Sequence, residues 1–168
     1  MKKALAVLIC LLFLNGCSLK SKEVPPIPNL NFTGNMSISY KYYSMECTVV
    51  SNLASGLYVT VVRPEILSGL KLYVENGICK IEYGSVSYNL DPDMLLQTDF
   101  VTYVSEAFES IKDSTSYTKL DNSYWKYTGK IKSGEFIFLQ DAVTGYPVSL
   151  RIPDADLTIK FKDIKPMS

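Results

Sequence analysis

The sequence predicts an α+β domain in which a strongly curved antiparallel sheet of about nine strands, a half-barrel, is covered by one main amphipathic helix. Apolar and polar residues alternate over most of the chain from Asn35 onward, which is the pattern of half-buried strands. Tight-turn sequences separate several of the alternating runs, so successive strands are expected to pair as hairpins. One internal segment has helical spacing instead, and its apolar face is expected to cover the sheet.

Two runs in the first half of the chain have the clearest strand pattern. Their alternating apolar residues are Ile38, Tyr40 and Tyr42 in the first run and Leu57, Val59 and Val61 in the second. Pro64 ends the second run, because proline cannot donate a hydrogen bond to a strand ladder. Asn76-Gly77 is a strong signal for a two-residue hairpin, and Gly84-Ser85 predicts another tight turn. The segment from Leu70 to Leu90, which includes Leu72, is therefore predicted to be an antiparallel meander.

A helix is predicted from Asp93 to about Lys112. Asp91 or Asp93 can cap its start, and Pro92 is tolerated in a first helical turn. The apolar residues at helical spacing are Met94, Val101, Val104, Phe108 and Ile111. The opposite face is polar, so this helix has a single face to bury. Further alternating runs between Tyr124 and Phe161 complete the predicted sheet.

The N-terminus has the organisation of a secretory signal. Two lysines precede an apolar run of eleven residues, Ala4 to Leu14, which is shorter than the roughly 20 residues that a membrane-spanning helix needs. The run closes on Leu14-Asn15-Gly16-Cys17, which resembles the lipobox of bacterial lipoproteins. That resemblance implies cleavage before Cys17, acylation of Cys17, and attachment to the extracytoplasmic face of the bacterial cell membrane. The alternative is an ordinary secretory signal with an incidental cysteine.

Three segments follow from this organisation. Residues 1–16 are the expected signal peptide, residues 17–33 a lipid-anchored tether, and residues 34–168 the half-barrel domain. The tether contains Val24-Pro25-Pro26-Ile27-Pro28, which favours an extended, semi-rigid polyproline path. A folded chain of about 150 residues buries close to 70% of its unfolded surface, so the mature chain is long enough for one real core.

Composition excludes several classes of function. The chain contains no histidine, which removes Ser-His and Cys-His catalysis and histidine metal sites. Asp91, Asp93 and Asp99 are better explained by helix capping and solvation than by a metal site. Loss of the signal takes two of 17 basic residues against 17 acidic ones, which leaves a formal charge of −2 and argues against nucleic acid as a partner. We expect neither catalysis nor a cofactor.

Two cysteines remain in the mature domain besides Cys17. Cys47 and Cys79 both lie in predicted strands, and the pattern leaves two alternatives open. Outside the cytoplasm they can pair as a disulfide. Otherwise they are two buried thiols that pack as small hydrophobic side chains.

Two stretches resemble the LolA/LolB lipoprotein-sorting family. One extends from Val62-Arg63-Pro64 to Tyr83, and the other from Asp141, through Thr144-Gly145-Tyr146-Pro147, to Ile164. The resemblance implies an incomplete antiparallel barrel around helices with an apolar cavity. Within that family the chain looks most similar to germination-type, GerS-like lipoproteins of spore-forming bacteria, which implies a non-enzymatic role in sporulation or germination. The chain departs from the family in having no predicted helix between the anchor and the first strand.

The first functional hypothesis is therefore a membrane-anchored extracytoplasmic binding or scaffold module for a cell-envelope protein partner. The alternative is a lipid or lipoprotein carrier that holds an acyl chain between sheet and helix. A charged residue at Val101 is expected to abolish cargo binding by a carrier and to affect a scaffold less. The candidate cavity or sheet-face residues are Ile38, Tyr40, Tyr42, Leu57, Val59, Val61, Leu72, Val101, Val104 and Phe108.

Tyrosines on the predicted strands are a second group of candidates for binding. They are Tyr40, Tyr42, Tyr43, Tyr58, Tyr73, Tyr83 and Tyr88. A tyrosine combines an apolar ring with a hydroxyl that can remain hydrated, which suits a binding surface. The alternative is that tyrosine simply has a high strand propensity and stands half-exposed on a sheet.

Overall fold

A computed structural model of the chain describes residues 23–75, 78–90, 99–112, 114 and 116–167. The predicted signal peptide, the lipobox and Cys17 lie outside these residues. Eleven strands are described: β1 (Phe32–Tyr40), β2 (Tyr43–Asn52), β3 (Gly56–Arg63), β4 (Lys71–Glu75), β5 (Ile78–Tyr83), β6 (Val86–Leu90), β7 (Tyr117–Leu120), β8 (Tyr124–Ile131), β9 (Gly134–Asp141), β10 (Pro147–Ile152) and β11 (Leu157–Pro166). The described α-helix, α1 (Asp99–Lys112), lies between β6 and β7, and 3₁₀ turns occupy Glu65–Leu67 and Pro153–Ala155.

All eleven strands form one antiparallel sheet. Its strand order is β6-β5-β4-β3-β2-β1-β11-β10-β9-β8-β7. Each half of the sheet is a meander of sequential neighbours, and the two halves meet where β1 pairs with β11, with Ile38 opposite Ile159. The first and last strands therefore lie in the middle of the sheet, and β6 and β7 form its two edges.

The sheet curves around α1. The helix contacts β8 in one half of the sheet and β3 and β4 in the other, so the two halves approach the same helix from both sides. Its buried side chains repeat at helical spacing: Phe100, Val101, Val104, Ala107, Phe108 and Ile111. The inward positions of the strands alternate with solvent-facing ones, and burying each large apolar side chain contributes about 1.5–3 kcal/mol. Within the described residues, the predicted curved antiparallel sheet covered by an amphipathic helix is confirmed.

The sheet has eleven strands, and the sequence-based count of about nine was too low. The alternation of Ile38 and Tyr40 continues to Tyr42 in the sequence, but the chain reverses there, and Tyr40 pairs with Tyr43. Lys41 takes up the left-handed conformation of this turn with φ 52°. No glycine, asparagine or proline marks the reversal, so the sequence pattern conceals it. The short strand β7 has only four residues and was also missed.

Other turns agree with their sequence signals. Glu75 pairs with Ile78, as a two-residue hairpin requires, although Asn76 and Gly77 themselves lie outside the described residues. Tyr83 pairs with Val86 across Gly84-Ser85, and Gly84 has φ 60°. The end of the predicted helix at Lys112 is confirmed. Its predicted beginning, with Asp91 and Asp93, lies outside the described residues.

The folded domain begins before residue 34. Leu30 and Phe32 are buried in the core, and Phe32 opens β1. The segment before them lies on the domain: the Asn29 amide donates to the Gly145 carbonyl at 2.8 Å, and Gln140 Nε2 donates to the Pro26 carbonyl at 2.8 Å. Part of the predicted tether therefore packs against the fold. Sequence alternation does not reveal these contacts, because they join segments more than a hundred residues apart in the chain.

Cys47 is a buried free thiol, so the structure does not contain a disulfide between Cys47 and Cys79. Cys47 lies on β2 and Cys79 on β5, and two strands separate them in the sheet. Three strand spacings amount to roughly 14 Å. A disulfide requires Cα atoms closer than about 7 Å. Of the two alternatives for these cysteines, burial as small apolar side chains is the one that the structure shows.

Candidate binding surfaces

The ten candidate cavity residues fall into two groups in the structure. Nine lie together in the core between the sheet and α1, and each is at most 3% exposed: Ile38, Tyr40, Leu57, Val59, Val61, Leu72, Val101, Val104 and Phe108. Tyr42 is 99% exposed in the turn between β1 and β2. Because the chain reverses at Lys41, Tyr42 does not lie on the inner face of the sheet, where the alternating sequence pattern predicts it.

Aromatic rings fill the space between α1 and the middle of the sheet. The ring of Phe108 lies 6.2 Å from that of Phe32, 6.1 Å from that of Phe138 and 6.0 Å from that of Phe161, measured between centroids. Two of these pairs are edge-to-face, which is a favourable geometry for aromatic rings. An acyl chain at this place would have to displace packed rings, which favours a ligand site elsewhere on the sheet.

Beyond the buried Cys79, the inner face of the sheet continues along β5 and onto β6, where it becomes exposed. Ile81 is half-buried, while Tyr83, Val86 and Tyr88 are 50%, 52% and 66% exposed. Ile81 pairs with Tyr88 and Tyr83 with Val86, so the four side chains form one contiguous surface. We call these four residues the wing patch. The Tyr83 hydroxyl donates to the Ile66 carbonyl at 3.5 Å, and Ile66 is itself exposed.

The wing patch ends at a sheet edge. Within the described residues β6 pairs with β5 alone, so one side of its backbone is directed away from the sheet. An edge strand can accept a further strand through main-chain hydrogen bonds, and alternate side chains then determine which strand fits. Tyr83 and Tyr88 are among the tyrosines that the sequence predicts as binding candidates, whereas Val86 is not. Its pattern is the same as that of buried valines such as Val59, so no sequence signal separates them.

A pocket of about 460 Å³ lies on the other face of the same strands. A row of four side chains crosses four adjacent strands in register, with Tyr58 opposite Tyr73, Tyr73 opposite Lys80, and Lys80 opposite Asn89. All four line the pocket, together with Glu82. We call this the outer pocket. It faces away from the core, because Leu72, Val74 and Cys79 occupy the alternate, inward positions of β4 and β5.

Hydrogen bonds hold the side chains of the outer pocket in place. The Tyr73 hydroxyl donates to Glu82 Oε2 at 2.8 Å, and the Tyr58 hydroxyl donates to the Ser55 carbonyl at 3.0 Å. The two tyrosine rings meet edge-to-face, with centroids 5.3 Å apart and planes at 76°. Lys80 Nζ lies 3.0 Å from Glu82 Oε1. The rings are thus oriented before any ligand arrives.

The charge states of the outer pocket are well defined. The hydrogen bond from Tyr73, followed by that from Lys80, lowers the pKa of Glu82. Burial and the bond to Glu82 raise the pKa of Tyr73 to about 12. At neutral pH Glu82 is therefore a carboxylate and Tyr73 a neutral donor.

Metal-ligating side chains do not cluster within the part of the chain that the structure describes. That part contains no group of three or more cysteine and carboxylate side chains placed to hold a metal ion. Asp141 has a lowered pKa because the Thr144 and Val143 amides and the Thr144 hydroxyl donate to it, and this organises the turn into β10. No helix within the described ranges has both the length and the apolar character needed to cross a membrane.

Comparison with known proteins gives structural neighbours only. No protein-family model matches the sequence, and no curated protein matches it. A LolA superfamily protein from Nitrosomonas europaea is similar in structure with a TM-score of 0.44 and 11% identity, over 84% of this chain and 89% of that one. A DUF1329 family protein from Desulfovibrio piger has a TM-score of 0.43 and 8% identity, over 80% and 84% of the two chains. Neither neighbour is described as a germination lipoprotein.

Proposed function

We propose that this chain is a membrane-anchored extracytoplasmic binding module without catalytic activity, and that it binds a cell-envelope protein at the wing patch and along β6. The observation that carries the proposal is the exposed apolar inner face of β5 and β6. Tyr83, Val86 and Tyr88 are each at least half exposed, whereas the equivalent face of β3 is buried under α1. An exposed apolar surface that continues a core is typical of an interaction site.

The edge position of β6 defines the kind of partner. An extended segment of another protein can pair with β6 through its backbone, while its apolar side chains contact Val86 and Tyr88. Tyrosine favours such contacts because its ring is large and loses little conformational entropy on binding. We therefore expect a partner segment with alternating apolar residues.

The path of the N-terminal segment agrees with this role. The segment is hydrogen-bonded to Gln140 and Gly145 near the turn between β9 and β10, and Glu23 forms an ion pair with Lys119 on β7. These contacts lie in the half of the sheet opposite to the wing patch. An acylated Cys17 would thus attach the domain to the membrane on one side and leave β6 accessible on the other. Stable attachment takes about two lipid chains.

Site-specific photocrosslinking in membranes tests the proposal. A photoreactive residue replaces Tyr88 in the full-length chain, and the control position is Val143, which is 87% exposed in the turn between β9 and β10. We expect a protein adduct from position 88 that is lost with Val86→Asp and retained with Val143→Asp. Equal adducts from both positions, or none from position 88, would contradict the proposal.

A lipid carrier is the second candidate, because the exposed apolar side chains of the wing patch could hold an acyl chain outside the packed core. Native mass spectrometry of the full-length chain tests it through the mass of a bound, non-covalent lipid. Val101→Asp is a poor probe, since Val101 is 0% exposed and a charge there would destabilise the whole domain. Val86→Asp removes apolar surface at an exposed position, so loss of lipid in that variant would favour the carrier.

A further inference from the structure

We propose that the outer pocket binds a neutral saccharide, on the face of β3 to β6 opposite to the wing patch. The pocket has a volume of about 460 Å³, which lies within the roughly 300–1,000 Å³ of small-molecule sites. It shares no lining residue with the wing patch, so this inference stands independently of the protein partner proposed above.

The shape of the site suits an elongated ligand. Tyr58, Tyr73, Lys80 and Asn89 form a straight row across four strands, and three strand spacings amount to roughly 14 Å. Such a row can contact successive rings of a short oligosaccharide. The two tyrosines form one end, where the edge-to-face pair presents ring surface that can pack against the C–H face of a sugar.

The polar groups of the site suit hydroxyls and amides. Glu82 offers acceptor oxygens, Lys80 offers donors, and the Asn89 amide offers both. These side chains come from β5 and β6, next to the tyrosines of β3 and β4. A ligand lying along the row therefore meets aromatic surface at one end and hydrogen-bonding groups at the other, as an amphipathic sugar ring requires.

The charges of the site disfavour an ionic ligand. Glu75 and Glu82 line the pocket with Lys80, and Lys71 Nζ, outside the lining, lies 3.9 Å from Glu82 Oε2, so both carboxylates and ammonium groups are present at the site. Glu82 is already paired with Lys80 and accepts a hydrogen bond from Tyr73. An anion would meet the carboxylates, a cation would meet the lysines, and a wholly apolar ligand would strip water from both. A neutral polyhydroxylated molecule avoids all three penalties.

Saturation-transfer NMR on the full-length chain, in a detergent without a sugar headgroup, tests the inference with chitotriose, maltotriose and cellotriose as probes. We expect saturation transfer to at least one of them. Tyr73→Ala should weaken its binding by about tenfold through the lost ring contact. Tyr73→Phe keeps the ring and should retain most of the binding. Tyr42→Ala removes an exposed tyrosine far from the pocket and should leave binding unchanged.

Tyr73 lies on the solvent-facing side of β4, so we expect Tyr73→Ala to remain folded. Thermal unfolding of each variant checks this. No transfer to any of the three trisaccharides would overturn the inference. Equal saturation transfer to the sugar from the Tyr73→Ala variant would overturn it as well. So would displacement of the sugar by citrate or spermidine but not by a second neutral sugar. None of these results affects the photocrosslinking test of the wing patch, which uses the opposite face of the sheet.

Discussion

At the scale of single residues, Tyr127 combines full burial with an unused polar group. It lies on β8 and is 2% exposed, and its hydroxyl has no hydrogen-bond partner among the described residues. Its ring packs at 5.9 Å from that of Phe138 and at 6.0 Å from that of Tyr117. Burial, followed by the proximity of Tyr117, raises the pKa of Tyr127 to about 12. The ring thus stabilises the core, while the hydroxyl opposes burial.

Tyr127→Phe is expected to stabilise the domain. The substitution keeps the aromatic contacts and removes a buried hydroxyl, whose unsatisfied burial costs about 1–3 kcal/mol. The free energy of unfolding in urea should therefore rise by about 1 kcal/mol. Tyr124→Phe is the matched control on the same strand, because Tyr124 is 36% exposed, and it should change stability little. A loss of stability in Tyr127→Phe would show that the hydroxyl has a favourable partner.

At the scale of elements, α1 is stabilised by its packing rather than by its own sequence. A helix of 14 residues is marginal in isolation, since isolated helices shorter than about 12–15 residues are barely stable in water. Phe108 brings α1 into contact with rings from β1, β9 and β11, which belong to both halves of the sheet. One side chain of the helix therefore connects the two meanders.

Phe108→Ala should cost about 3–5 kcal/mol of unfolding free energy, because it leaves a cavity among Phe32, Phe138 and Phe161. Glu109→Ala is the control on the same helix. It removes the exposed pair of Glu109 with Lys112 at 2.7 Å, which is worth less than about 1 kcal/mol. Urea unfolding of both variants measures the difference. Equal losses would show that the helix is held by its exposed face.

At the scale of the whole molecule, the stability of the fold should depend on alkaline pH. Burial raises the pKa of the Cys47 thiol from 9.0 to about 12. Between these values the unfolded chain loses a proton that the folded chain keeps. The unfolded state is thereby favoured as pH rises, and stability falls through this range and is not further affected by Cys47 above it.

We expect the free energy of unfolding, measured by urea titration, to decrease as pH rises from 9 to 12, by up to about 1.4 kcal/mol per pH unit from Cys47 alone. Cys47→Val keeps an apolar side chain of similar size and should reduce the slope between pH 9 and 10, below the range in which Tyr73 and Tyr127 contribute most. Circular dichroism during urea titration at each pH measures the free energy of unfolding and hence this slope. An identical slope in Cys47→Val would mean that the thiol ionises equally in both states.

Much of the fold could be predicted because its physical causes are local. The alternation of Leu57, Val59 and Val61 predicts a half-buried strand, and the spacing of Val101, Val104 and Phe108 predicts a helix with one apolar face. Turns with their own chemistry, such as Gly84-Ser85, were also predictable. The reversal at Lys41 was not, because its residues carry no turn signal and the pairing of β1 with β2 decides it.

The candidate sites depended on longer-range information. Val59 and Val86 occupy equivalent positions in their alternating runs, yet one is buried and the other is 52% exposed. Their difference lies in where α1 packs, and no local pattern contains that. The row of Tyr58, Tyr73, Lys80 and Asn89 likewise depends on the register of four strands.

The sequence by itself determined the class of fold, the amphipathic helix, most of the hairpins and the absence of histidine chemistry, because these depend on residues close together in the chain. The tertiary structure alone decided that two strands separate Cys47 from Cys79 and that aromatic rings fill the space beneath α1. It also decided that β5 and β6 carry an apolar patch on one face and contribute to a polar pocket on the other. Each of these depends on which distant segments meet, and strand order, register and helix placement are settled only when the whole chain packs.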